Sequence, residues 1–444
     1  MPRPVRLARA LAACAALAIA PHAPAFCGFF VGKADTTLYN KASQVILVRE
    51  GTRTVISMLN DYQGEPAQFA LVVPVPQVLE RGQIRVGDRR TFERIDGFTA
   101  PRLAEYFDPD PCARKEVSAQ LSLDAARPAA PVAKARADRA LGVAVEARYT
   151  VGEYDIVILS ARESDGLETW LTRNGYRIPK GAAAALRPYV KQNLKFFVAR
   201  VNLAEHARTG RTWLAPLQFA FDSERFMLPV RLGMLNADGP QDLVVYVLTQ
   251  RGRVETTNYR TVKVPSNAEL PVHVREDFGN LYRALFDEQA RREGLGAVFT
   301  EFFWDMSWCD PCAADPLTST ELRDAGVFWV DASGKAPRGP TPVMVTRLHL
   351  RYTRDTLPED LVFQQTADRQ PFQARYVLRH AWAGAPNACA EAEPYFASVR
   401  ERQQQEATTL AVLTGWDVNA IRARMTLPAV SSTKWWEALW PPAK

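Results

Sequence analysis

Apolar residues along this chain fall mostly in short runs rich in β-branched and aromatic residues, punctuated by Gly, Pro, Asn and Asp. Helical spacing dominates only toward the end. Residues 43–50 and 52–60 flank Gly51 and predict a hairpin. Residues 69–73 predict a third strand, ended by Pro74 and Pro76, which have no N–H for a ladder. Residues 92–107 carry helical spacing interrupted near Pro101, and run into Asp108-Pro109-Asp110-Pro111-Cys112. From 113 to 140 the pattern dissolves. Residues 125–140 are half alanine, with Pro128 and Pro131, so a flexible surface loop or linker is expected there.

Order resumes with strands at 143–149 and 154–159 around Gly152. A helix follows at 166–176, with Leu167, Trp170 and Leu171 on one side and Asn174-Gly175 as its stop. A second helix at 181–193 and a returning strand at 194–201 complete a ββααβ piece. Segments 213–221, 226–235, 243–249 and 254–264 predict a meander, with turns at Asp222-Ser223, Asp238-Gly239 and Arg251-Gly252. An amphipathic helix is expected at 276–292, with Phe278, Leu281, Leu285 and Phe286 on one face. Strands are expected at 327–330, 343–352, 361–365 and 372–378. A helix over 391–413 ends at Gly415, and Asp417 is placed to cap the next, at 418–425. That pair has the outline of a helix-turn-helix but reads as ordinary helix packing, and no nucleic-acid partner is expected.

These elements define an α+β fold, rich in antiparallel sheet, with a helical C-terminal region. The chain divides into a leader (1–25), an N-terminal β-rich part (26–112), the Ala/Pro-rich loop (113–140), an α+β and meander part (141–265), a mixed part (266–390) and C-terminal helices (391–444).

The leader changes the picture of the compartment. Arg3, Arg6 and Arg9 precede a short apolar run, 11–20, and Ala23-Pro24-Ala25 has the small residues of a cleavage site, so the mature chain is expected to start at Phe26. Cys14 matches a lipoprotein box by letters but sits too early, with almost no apolar run before it. No other run is long enough to span a bilayer, so no transmembrane segment is expected in the mature chain. Cleavage removes three of the 55 basic residues and none of the 49 acidic ones, which leaves only a small positive excess. The pI near 9.0 therefore gives no reason to expect nucleic acid or anionic membrane as a partner. Export also recasts the cysteines. Cys27, Cys112, Cys309, Cys312 and Cys389 remain, and an oxidising compartment favours two disulfides with one thiol left over.

Several blocks together carry a family resemblance. They are Phe26-Cys27-Gly28-Phe29-Phe30-Val31, Lys41-Ala42-Ser43-Gln44-Val45, Asn60-Asp61-Tyr62-Gln63-Gly64-Glu65-Pro66 and Ala100-Pro101-Arg102-Leu103. Tyr106 to Cys112, Asn174-Gly175-Tyr176 and Trp308 to Cys312 add to them. The chain resembles the bacterial domain-of-unknown-function 2330 family, whose members look like secreted or envelope proteins. The resemblance covers most of the mature chain and implies one composite unit. It implies no activity, substrate or catalytic residue.

The one C-x-x-C lies in Trp308-Cys309-Asp310-Pro311-Cys312, a residue away from the motif of thioredoxin-like proteins. In that reading Cys309 is the attacking thiol, Cys312 the resolving one, and Thr341-Pro342 stands where a cis-proline would face them. The surroundings argue otherwise. A loop follows Cys312, with a helix capped by Thr318 or Ser319 starting only later, and the stretch from Cys312 to Pro342 is too short for the full crossover. A structural disulfide is the favoured reading, and Asp-Pro before both Cys112 and Cys312 suggests that Cys112 bonds one cysteine of the pair. A four-thiolate site of Cys309, Cys312, Cys112 and Cys389 is the third reading, weakened by the lack of a second C-x-x-C.

Asp108 and Asp110 are expected to splay in a proline-held turn rather than bind Ca²⁺. His206, His273, His349 and His380 lie in no metalloprotease spacing, and His349 and His380 read as packed or surface residues. No nucleophile elbow or phosphate loop is present. Trp435, Trp436 and Trp440 are expected to dock on the protein's own core. The expectation is an exported, periplasmic or extracellular, non-enzymatic binding or scaffold protein. It would need no cofactor or metal and would meet an envelope protein or ligand that the sequence does not identify. The alternative is a periplasmic thiol–disulfide protein using Cys309 and Cys312.

Overall fold

The computed structural model describes residues 29–32, 39–63, 69–113, 143–174, 181–210, 213–236, 239–307, 315–330 and 342–426. The first part of the chain forms β1 (Phe29–Gly32), β2 (Tyr39–Glu50), β3 (Arg53–Gln63), β4 (Phe69–Val75), β5 (Ile84–Val86), α1 (Arg89–Thr99) and β6 (Arg102–Phe107). Then come β7 (Ala144–Val151), β8 (Tyr154–Ser160), α2 (Ser164–Arg173), α3 (Ala182–Lys191), β9 (Lys195–Val201) and α4 (Leu203–Thr209). The middle holds β10 (Leu217–Asp222), β11 (Met227–Leu228), β12 (Gln241–Thr249), β13 (Val254–Thr256), β14 (Arg260–Lys263) and β15 (Ala268–Leu270). The last part holds α5 (Phe278–Arg292), β16 (Ala297–Asp305), α6 (Ser319–Asp324), β17 (Met344–Tyr352), β18 (Leu361–Gln365), β19 (Phe372–Gln373) and β20 (Arg375–His380). It ends with α7 (Ala392–Thr414) and α8 (Val418–Ala423).

The fold is α+β, as expected, with mostly antiparallel sheets and helices at the C-terminal side. A nine-stranded sheet runs β14-β16-β17-β12-β2-β3-β10-β5, with β19 added on β16. A five-stranded sheet runs β1-β4-β9-β8-β7. The two pack face to face. Val45, Ile56, Val245 and Phe219 of the larger sheet meet Leu71, Val73, Ile158 and Phe197 of the smaller, and the rings of Phe197 and Phe219 stack 5.2 Å apart. Both strand sets alternate inward and outward residues, so each sheet buries its other face under helices. Leu167, Leu171, Leu186 and Tyr189 of α2 and α3 cover the smaller sheet. Phe92, Ile95 and Phe98 of α1 and Leu322 of α6 cover the larger. The sheet β15-β20-β6 packs under α5, α7 and α8 through Leu270, Tyr376, Leu281, Leu410 and Ile421. No helix of the described residues is long and apolar enough to cross a membrane.

The local signals hold well. Gly51 turns the first hairpin at φ +59°, Gly415 closes α7 at φ +73°, and Asp417 accepts the Ala420 N–H as the cap of α8. Thr318 caps α6, with Glu321 returning the bond to complete a capping box.

Four expectations are corrected. Helical spacing does not continue past Pro101: 102–107 is the strand β6, because the Ala100–Pro101 break frees it to pair in parallel with β20. The 213–264 meander does not form. β10 lies between β3 and β5, β12 between β2 and β17, and β14 pairs β16, so distant partners replace neighbours. Within it, 226–235 yields only Met227–Leu228 as strand before a 3₁₀ helix at Arg231–Asn236. Residues 327–330 form turns rather than a strand. Pro74 also does not end its strand. Among the described residues the pairing with β1 stops at Val72, and Pro74 pairs with Phe196 of β9. The 113–140 loop from Arg114 onward, Cys27, Cys309, Cys312 and the tryptophans of the C-terminal tail lie outside the described residues.

Candidate functional site

Strand β17 places Arg347, His349 and Arg351 on one face at intervals of two, with Leu348 and Leu350 on the other. The adjacent positions on β12 are Tyr246, Val244 and Asp242. On the other side β16 pairs with β17, and a bulge between Thr300 and Phe302 inserts Glu301 as an extra residue. Helices α1 and α5 close the face with Asp96, Tyr282, Phe286 and Asp287. A chain of opposite charges results, largely sealed from water.

Glu301 is fully buried. Its Oε1 accepts from Tyr282 and, at 2.6 Å, from His349 Nδ1. Its Oε2 accepts from Arg347 Nε, also at 2.6 Å. Burial pushes this carboxyl up, but the charges of His349 and Arg347 and the hydrogen bonds of His349 and Tyr282 outweigh it and hold the group down at about 2. Arg347 also donates to Asp96 Oδ1 at 2.6 Å and lies over the Tyr246 ring, 5.4 Å from its centroid. Tyr246 donates to the same Asp96 oxygen at 2.7 Å. The Arg347 guanidinium is raised despite burial, by Tyr246, Glu301 and Asp96. Burial raises the phenols of Tyr246, Tyr282 and Tyr376.

The His349 ring lies flat on Phe286, with centroids 3.6 Å apart and 1° between planes. Its Nε2 sits 3.9 Å from Asp242 Oδ1. Asp242 is gripped bidentately by Arg351, with both bonds at 2.7 Å, and Arg351 also reaches Asp287. A histidine between two carboxylates can carry a proton between them. Here both oxygens of the buried carboxylate are already engaged by protein donors. The arrangement locks β16, β17, β12, α1 and α5 together.

A second cluster surrounds the disulfide Cys112–Cys389, with S–S at 2.06 Å and its cysteines 277 positions apart in sequence. The expected bond from Cys112 to Cys309 or Cys312 is therefore corrected: the partner is Cys389, brought to β6 by the loop after β20. The four-thiolate reading loses two ligands for the same reason. Among the described residues no group of three or more His, Cys, Asp or Glu could hold a metal. Asp108 and Asp110 splay as expected. Asp108 accepts from Tyr395 at 2.8 Å and Arg402 at 2.9 Å, while Asp110 accepts the Cys112 N–H at 2.8 Å. Burial raises Asp108, but the hydrogen bonds of Arg402 and Tyr395 win and lower it. Glu406, one turn from Arg402 on α7, is buried with its Oε1 only 3.4 Å from Arg402 Nε, and burial lifts it to about 7.

The histidines divide among these settings. His206 Nδ1 pairs with buried Glu153 at 2.8 Å, and Glu153 also accepts the Ala215 N–H at 2.6 Å. His380 Nε2 meets Glu105 at 2.8 Å under the stacked ring of Phe107. His273 is lowered by burial and by Arg424. Sequence reasoning missed Glu301, Arg347 and Arg351. The signals were there: one acid inside the apolar run 297–304, and the alternation Arg-Leu-His-Leu-Arg at 347–351.

Comparison with known proteins adds one match. A family model described as an uncharacterized protein conserved in bacteria (DUF2330) covers residues 21–364. No curated protein and no solved structure matches.

Proposed function

The chain belongs to this bacterial family, DUF2330, and on that premise we propose that it is an exported, non-enzymatic binding or scaffold protein of the periplasm or extracellular space. The observation that carries the reading is the Cys112–Cys389 bond. It joins the end of β6 to the approach of α7 across most of the mature chain, and such bonds persist in oxidising compartments. The leader pattern at 1–25 supports the same address. The Glu301–Arg347–His349 lock supports a structural role for the buried charges, since their hydrogen bonds close on the protein itself.

The test is to express the full chain in a bacterium with its leader and fractionate the cell. The mature protein is expected outside the cytoplasm, beginning at Phe26, with a Cys112–Cys389 peptide in a non-reducing digest. A full-length chain starting at Met1 in the cytoplasm, with Cys112 and Cys389 open to alkylation, would sink the reading.

A further inference from the structure

The nine-stranded sheet ends at β5, and at that end its helix-covered face is not filled by helix. Arg85 of β5, Gln218 and Ala220 of β10 and Val55 of β3 form a floor, and the turns after α6 form a roof. Between them lies a cavity of about 410 Å³, a size typical of small-molecule sites. Its apolar lining comes from Val55, Ala220, Val327, Phe328 and Val330. Gly326 closes one end at φ +103°, where a Cβ would stand 2.7 Å from Val55 Cγ1, so the roof touches the floor there.

Arg85 gives this cavity its character. Its Nε donates to Gln218 Oε1, and its Nη2 donates to the carbonyls of Asp324 at 2.6 Å and Arg323 at 3.2 Å. Gln218 is itself buried and held by Ser57 and the Asp324 carbonyl. The guanidinium is thus fixed by neutral acceptors. Arg94, Arg347, Arg351 and Arg402 each face a carboxylate, whereas Arg85 meets none among the described residues. No acid among the described residues lines the cavity. A pre-positioned cation at the edge of an open, partly apolar cleft suits a ligand of opposite charge with an apolar body, because the ordering cost is met during folding.

We propose that this cavity binds a small amphiphilic anion, with its acid group on Arg85 and its apolar body against Val55, Val327, Phe328 and Val330. The proposal goes beyond the export and scaffold reading and does not depend on where the cell places the chain. The purified, oxidised protein is titrated with 8-anilinonaphthalene-1-sulfonate, followed by fluorescence, and the bound probe is challenged with octanoate, octanol or acetate. Octanoate is expected to displace it, with octanol and acetate at least about tenfold weaker. Arg85→Gln should weaken octanoate about tenfold and leave octanol unchanged. Phe328 is 40% exposed, so Phe328→Glu should keep the melting temperature while abolishing displaceable probe binding by repulsion. Octanol competing as well as octanoate would overturn the proposal, as would probe binding that octanoate does not displace. If Arg85→Gln unfolds through loss of its contacts to α6, Phe328→Glu decides: unchanged octanoate binding in that variant refutes the site.

Discussion

Replacing Glu301 by glutamine tests the buried charge lock directly. Holding a carboxyl at about 2 instead of the usual 4.5 corresponds to about 3 kcal/mol of stability in its ionised form. The folded value lies below the unfolded one, so that stability is present in full above about pH 4.5 and is lost as pH falls toward 2. Glutamine removes the charge while Arg347 and His349 stay buried beside it, and its amide N–H₂ must face one of the donors that the carboxylate accepted. Breaking a buried pair from one side costs about 3–5 kcal/mol. Urea unfolding, followed by tryptophan fluorescence, should therefore show Glu301→Gln losing about 3–5 kcal/mol at pH 7. The loss should shrink at pH 3, where the carboxyl of the unfolded chain, near its usual 4.5, is already protonated while the folded one is not. Arg347→Met in the same background should cost less than the sum of the single changes, because neither variant then strands the other's charge. A loss under about 1 kcal/mol at pH 7, or one of equal size at pH 7 and pH 3, would mean that the Glu301 charge does not hold these strands together.

Cys389→Ser opens a loop whose ends are 277 positions apart in sequence, for which chain entropy alone sets a ceiling of about 5–6 kcal/mol; a urea midpoint unmoved by the substitution or by reductant would show that the bond does not brace the fold. Glu406 carries the opposite sign from Glu301: its folded value of about 7 lies above the usual 4.5, so folding loses stability as pH rises between the two. Glu406→Gln should raise the melting temperature at pH 8 and leave it nearly unchanged near pH 4.5, and equal shifts at both would contradict the burial argument. Gly326→Ala forces a Cβ toward Val55 in a left-handed backbone, and thermal unfolding should show a loss of about 1–3 kcal/mol; a neutral result would mean that the roof over the cavity moves freely.

What could be read from the chain follows the range of the forces involved. The Gly51 hairpin, the Thr318 capping box, the Gly415 stop and the Asp417 cap each depend on a few adjacent residues, so the local sequence carries them. Strand pairing depends on partners far apart. β2 pairs in parallel with β12, and β6 with β20, and nothing within either segment specifies the other. The predicted meander fails for that reason although its strand-forming runs are mostly real. The 92–107 pattern fails differently: Leu103 packs against the α5/α7/α8 core whether its segment is helix or strand, and the neighbour β20 decides between them. Of the site, His349 was visible only as a histidine in a strand. The apolar run around Glu301 told of burial, but not that Arg347 would arrive from another strand to allow a charge there.

Glu301 also marks a joint in the architecture, which explains why an acid stands where an apolar residue would pack at lower cost. The chain at 372–373 adds to the large sheet beside Phe302 and Phe303, then leaves it to form β20 in the other sheet. At the departure point the Ala374 N–H donates to the Glu301 carbonyl at 2.7 Å. The Glu301 backbone thus makes the last bond to the chain before it leaves the large sheet, while its side chain holds Arg347 and His349 of β17. An apolar residue at 301 would pack equally well in several registers of β16 against β17. A carboxylate that needs Arg347, His349 and Tyr282 together is satisfied in one. The stability given up by burying the charge therefore fixes the register at the place where the two sheets meet, and the disulfide at Cys112–Cys389 secures the far end of β6, the strand beside β20.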